Sequence, residues 1–118
     1  MEEPNTSRLT ETLDILTHPY RRYVLYYLAN ESEVVSIDTL SSAIAKWDGV
    51  KTRTDRNNGS NDIKTGLRHM HLPRMVDAGI IMFGANMDSV ELRETDGLDR
   101  FLDDMARIDG YVQTAAGD

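Results

Sequence analysis

The stretch His71-Leu72-Pro73-Arg74-Met75-Val76-Asp77-Ala78-Gly79-Ile80-Ile81 decides the fold. Upstream of it and within it, Ile63, Leu67, Met70, Met75 and Val76 recur at helical spacing. They predict a fourth helix from Asn61 or Asp62 to Asp77-Ala78, with Gly79 as its C-terminal stop. Pro73 falls inside that helix. It has no amide to offer the carbonyl of His69 and its ring crowds that carbonyl, so a kink or a restart is expected there. Beyond Gly79, Ile80-Ile81-Met82-Phe83, a turn around Ala85-Asn86-Met87-Asp88, and Val90-Glu91-Leu92-Arg93 read as a β-hairpin.

Working back from this stretch, Leu9, Leu13 and Leu16 mark a short amphipathic helix stopped by His18-Pro19. Residues 1–8 before it are polar and read as a flexible arm. A second helix from about Pro19 to Asn30 is dense in Tyr20, Tyr23, Val24, Leu25, Tyr27 and Leu28, leaving Arg21, Arg22 and Tyr26 for solvent. Val34-Val35 is a short extended piece. Ser36 is a suitable N-cap for a third helix carrying Ile37, Leu40, Ile44 and Trp47 and ending near Asp48-Gly49. Residues 50–61 form a basic insert without an apolar side chain between Lys51 and Ser60, and are expected to be mobile.

Downstream, Leu98, Phe101, Leu102, Met105, Ile108 and Val112 make one stripe on a helix from about Gly97 to Gln113, with Asp96 and Asp99 at its positive end. The chain thus divides into an arm (1–8), a main domain (9–93), a C-terminal helical segment (94–114) and a tail (115–118). The fold class is mainly α with a small β-hairpin, an α+β arrangement.

The chain has 118 residues, 40% of them apolar, enough for one core. With no cysteine, disulfides and thiol chemistry are excluded. No apolar run approaches the roughly 18 to 20 residues that span a bilayer, and the start Met1-Glu2-Glu3-Pro4 lacks the layout of a signal peptide. A cytoplasmic protein without membrane partners is expected, so the Asn-x-Ser matches at Asn5 and Asn58 carry no weight.

The net charge of −7 argues at first against nucleic acid, but its distribution is uneven. Residues 51–75 are net positive by four, while the segments before and after are net negative by four and seven. One surface meeting an anion, on an otherwise acidic protein, is one explanation; a loop that merely happens to be basic is the other. Only 3 Lys stand against 10 Arg, and 13 Asp against 7 Glu. That usage resembles proteins of extreme halophiles.

Three helices, the last running directly into a hairpin, form the layout of a winged helix-turn-helix. The run Thr17-His18-Pro19-Tyr20-Arg21-Arg22-Tyr23-Val24-Leu25 resembles the opening helix of arsenic-resistance-repressor-type (ArsR-type) proteins. The run from His71 to Ile81 is similar to the end of their recognition helix and the start of their wing. Both runs, the kinking proline and the insert also resemble a family of short haloarchaeal winged-helix domains, over residues 9–93. The resemblance implies a homodimeric, DNA-binding transcriptional regulator. It also implies that the first and last helices form the dimer interface, here Leu9, Leu13, Leu16, Leu98, Phe101, Leu102, Met105, Ile108 and Val112; a last helix folded back on its own core stays the alternative.

In such a protein the fourth helix enters the major groove. It offers Lys64, Thr65, Arg68, His69, His71 and Arg74, with positions 64, 68 and 71 expected on one face and Gly66 permitting close approach to the DNA backbone. Bidentate Arg reads guanine best, which makes Arg68 the first candidate for base contact. Lys51, Arg53 and Arg56 in the insert add possible phosphate contacts. A solvated face with Leu67 and Met70 in the core behind it is the plainer alternative. Two features depart from a typical DNA reader. The link before the fourth helix is long, and the wing from Ile80 to Leu92 contains no Lys or Arg, while Asp88 and Glu91 would face phosphate. These features suit a winged-helix module that docks another protein instead.

His69 and His71 form a His-x-His, but two residues apart on a helix they point roughly 200° away from each other and cannot chelate one ion. No metal and no other cofactor is expected, and a core or capping role is expected for one of the pair. Neither a nucleophile beside a base nor a Gly-rich phosphate loop is present, so enzyme activity is not expected. The close acids Asp103 and Asp104 read as a solvated face.

Overall fold

A computed structural model describes residues 6–31, 34–52, 60–93 and 98–111. The elements run α1 (Thr6–Ile15), α2 (Pro19–Glu31), β1 (Val35–Ser36), α3 (Ile37–Thr52), α4 (Ser60–Gly66), a π-helical turn (Leu67–His71), α5 (Leu72–Asp77), β2 (Ile81–Phe83), β3 (Ser89–Leu92) and α6 (Leu98–Asp109). The chain is mainly helical with a small antiparallel sheet. The hairpin pairs Ile81 with Leu92, Met82 with Glu91 and Phe83 with Val90.

A third strand, β1, pairs Val35 with Val90 and Ser36 with Ser89, giving the order β1-β3-β2. The extended reading of Val34-Val35 marked the place but not the partner, because pairing across 54 residues of chain leaves no local signature. Ser36 caps α3 as expected: its Oγ accepts the Thr39 amide at 3.0 Å. α3 runs on to Thr52 rather than stopping at Asp48-Gly49, and α1 starts at Thr6 rather than near Leu9. Of the expected mobile insert, residues 50–52 and 60–61 are helical, and 53–59 lie outside the described residues. Residues 1–5 of the expected arm, the end of the expected C-terminal helix from 112 and the tail 115–118 lie outside them too, while residues 6–8 of the arm are helical.

Pro73 is accommodated by a restart. The Leu72 amide reaches back five residues to the Leu67 carbonyl, and Pro73 then occupies the first turn of α5, where no amide is needed. The widened turn changes what the helix buries. Leu67, His71, Leu72 and Met75 point into the core, while Met70, expected inside at regular spacing, is half exposed. Gly79 ends the unit at φ +79°, a left-handed C-cap, as its position predicted.

The core gathers Val24, Leu25 and Leu28 of α2, Ile37, Leu40 and Ile44 of α3, Leu67, Leu72 and Met75, and Ile81 and Val90 of the sheet. Each is fully enclosed and worth ~1.5–3 kcal/mol against exposure. Two residues assigned to solvent in α2 are buried instead: Tyr26 and Arg21. α6 closes over Tyr26. Its Asp109 carboxylate accepts Tyr26 Oη at 2.5 Å and the Arg22 guanidinium at 2.7 and 3.2 Å, while Arg22 Nη1 donates to the Leu16 carbonyl at 2.7 Å. One arginine thereby ties the ends of α1 and α6 to α2.

Candidate nucleic-acid interface

The α4–π–α5 unit carries most of the basic candidates. Lys64 and Arg68 are partly exposed, and Thr65, His69 and Arg74 are exposed. Each of the three cations meets an acid from another element. Lys64 Nζ lies 2.5 Å from Asp38 at the start of α3, Arg68 Nη2 2.9 Å from Asp88 in the hairpin turn, and Arg74 Nη1 3.7 Å from Asp14 of α1. The Lys64 ammonium holds the Asp38 carboxyl below the usual carboxylate range. The surface is therefore basic in sequence but close to neutral in space.

The three acids were not among the sequence candidates. Asp88, which in the sequence would face phosphate, instead pairs with Arg68. No spacing rule could have found these pairs, which span 20 to 60 residues. Gly66 sits on the same unit; a Cβ there would find its nearest neighbour, His71 Cδ2, at an ordinary 3.9 Å.

His71 does not belong to this surface. It is 3% exposed, so the expectation that it lines one face with Lys64 and Arg68 fails; the π turn rotates it inward. Its Nδ1 accepts Arg21 Nε at 3.1 Å, and its ring lies 4.3 Å from that of His18. His18 Nδ1 in turn accepts the Tyr20 amide at 3.1 Å. Burial, and then the nearby His18, Arg21 and Arg74, push His71 down to about 4, so the ring is neutral at pH 7. His18 is lowered as well, first by burial and then by Arg21 and Arg22. The His-x-His thus divides as the helical geometry required, with His69 exposed and His71 in a core role.

Among the described residues, no group of three or more His, Cys, Asp or Glu side chains converges as a metal site would. No described helix is long and apolar enough to cross a membrane. The side chains of Lys51, Arg53 and Arg56 lie outside the described residues.

Of the proposed dimer residues, Leu16 and Leu102 are buried within the chain and Met105 partly so. Leu9, Leu13, Phe101 and Ile108 are exposed. Leu98 and Val112 have side chains outside the described residues. α6 therefore folds back on its own core through one edge and presents Phe101 and Ile108 from another.

Fold and surface together define a small helical domain with a three-stranded antiparallel sheet and a balanced, charge-paired helix face. Residues 13–91, more than half of the chain, match the family described as a domain of unknown function (DUF7344), and the chain belongs to it. No curated protein and no solved structure matches it at a significant level.

Proposed function

We propose that the chain is a winged helix-turn-helix, related to ArsR-type regulators and to short haloarchaeal winged-helix domains, that binds double-stranded DNA as a cytoplasmic homodimer and regulates transcription. In this reading α3 and the α4–π–α5 unit form the helix-turn-helix, and β2–β3 with β1 form the wing. The observation that carries the proposal is the set of solvent-accessible cations Lys64, Arg68 and Arg74 on the helical unit that leads into the hairpin, held by carboxylates at distances where phosphates would serve as well. Solvent screens exposed ion pairs, so exchanging Asp38 or Asp88 for a phosphate or a guanine edge costs little.

Dimerisation is supported by four exposed apolar side chains, Leu9 and Leu13 on α1 and Phe101 and Ile108 on α6, on helices whose C-terminal ends meet at Arg22. Two-fold symmetry would then place two α4–π–α5 units one turn of DNA apart and predict a palindromic site.

The test is selection from a randomised duplex library, sequenced after binding in about 2 M KCl, a salt that suppresses the non-specific phosphate term. An enriched palindrome is expected, with binding lost in a folded Lys64→Ala, Arg68→Ala double variant. Undiminished binding by that variant would sink the assigned surface. A second reading is favoured by the acidic wing turn around Asp88 and by the exposed Phe101 and Ile108: a winged-helix module that docks a protein. Folded protein that enriches no duplex, while a protein co-purifies without DNA, would select it.

A further inference from the structure

A cleft of about 560 Å³ opens between α2, α3 and the end of α6, adjoining the basic helix face only at Asp38. Tyr23, Tyr27, Trp47 and Tyr111 give it an aromatic wall, beside polar residues of α3. The Tyr23 ring lies 4.9 Å from that of Trp47 at a 35° tilt and meets Tyr111 edge-on at 5.2 Å. Apolar walls of this size suit a drug-sized molecule, and a flat ring suits them best, because offset and edge contacts between rings add to the area they bury.

The charge inside the cleft is asymmetric. Asp38 and Lys46 both line it, eight residues apart on α3 and so about 12 Å apart along the helix axis. Asp38 is committed to Lys64. Lys46 is exposed and joins no ion pair among the described residues, and it stands next to Trp47 in the chain. The Lys46 ammonium and the Trp47 ring thus lie at the same end. An organic cation would meet Lys46 there, and would find Asp38 already neutralised.

We propose that this cleft binds a small aromatic carboxylate, its ring against Tyr23 and Trp47 and its carboxylate on Lys46 Nζ. The carboxylate's contact at the Lys46 end sets the orientation, since Lys64 already neutralises Asp38 at the other end. Ligand binding does not depend on the DNA-binding reading; only a regulatory meaning for it would.

Trp47 is the sole tryptophan of the chain, so intrinsic fluorescence reports on the cleft directly. Phenylacetate is the probe and phenylacetamide its neutral counterpart, and the indole is excited at the red edge of its absorption, where neither probe absorbs. The expected result is a saturable change with phenylacetate, at least about ten-fold weaker with phenylacetamide, a difference of ~1.4 kcal/mol. Lys46→Met should erase that preference and Lys46→Arg should keep it within a few fold, each with an unchanged circular dichroism spectrum. Three outcomes would each overturn the proposal: no saturable change in folded wild type, equal affinity for both probes, or an undiminished preference in Lys46→Met. The comparison of probes on wild type stands even if a variant fails to fold.

Discussion

His71 is an imidazole held neutral in the core, and that sets a pH dependence of stability. Its folded pKa, about 4, lies below the unfolded value of 6.5. The unfolded chain therefore takes up a proton first as pH falls. The stability that neutral His71 contributes is complete above pH 6.5, shrinks as pH drops from 6.5 towards 4, and is gone below that, a loss on the order of 2–3 kcal/mol. Urea unfolding at pH 7 and pH 4.5 should show this loss in wild type and a smaller one in His71→Gln, which keeps an acceptor for Arg21. Equal losses in both would place the acid sensitivity elsewhere. The residue scale also holds the clearest limit of sequence reading. Whether His71, Arg21 and Tyr26 face in or out turns on a single widened helical turn and on a helix that arrives from 80 residues away.

At the scale of elements, α6 and the break at Pro73 decide the shape. Asp109 anchors α6 by accepting from both Arg22 and Tyr26. The Asp109 hydrogen bond raises the guanidinium's affinity for its proton, and burial together with Asp109 raises that of the Tyr26 phenol. Asp109→Ala leaves both donors without their acceptor and should cost about 2–4 kcal/mol. Hydrogen exchange should then show α6 opening well before α2 and α3; an α6 as protected as in wild type would show that its apolar edge, led by Leu102, holds it alone. Gly79 sits at φ +79° between α5 and the sheet. Gly79→Ala puts a Cβ into left-handed backbone and should destabilise by ~1–2 kcal/mol, seen as a lower Tm. The cap and the proline break were both legible from the sequence, since each depends on one residue's own backbone chemistry. The π turn itself was not, because several ways of restarting a helix around proline share one sequence pattern.

The whole molecule carries an excess of acid, yet its basic helix face is neutralised by three of those acids. On the DNA-binding function proposed above, removing these internal competitors should tighten binding. Asp38→Asn and Asp88→Asn, measured on the selected duplex, are each expected to raise affinity no more than a few fold, because solvent screens exposed ion pairs. Unchanged or weaker binding in both would mean that the acids position Lys64 and Arg68 rather than compete for them. For the assembly, Phe101→Asp with Ile108→Asp should convert a dimer to a monomer in sedimentation while leaving the helical signal intact, since both side chains point away from the chain's own core. A monomeric wild type would remove the two-fold argument for a palindrome.

The amino-acid sequence by itself determined the class of fold, the order of helices and hairpin, the Ser36 cap, the Gly79 stop and the disruption at Pro73. Each of these follows from residue chemistry within a few positions of chain. Only the tertiary structure decided that β1 joins the hairpin, that His71 turns inward, that Asp38, Asp88 and Asp14 meet the basic face, and that Tyr23, Trp47 and Tyr111 enclose a cleft beside Lys46. Those are encounters between residues far apart in the chain. Their specificity lies in how helices pack, which periodicity and charge counts do not encode.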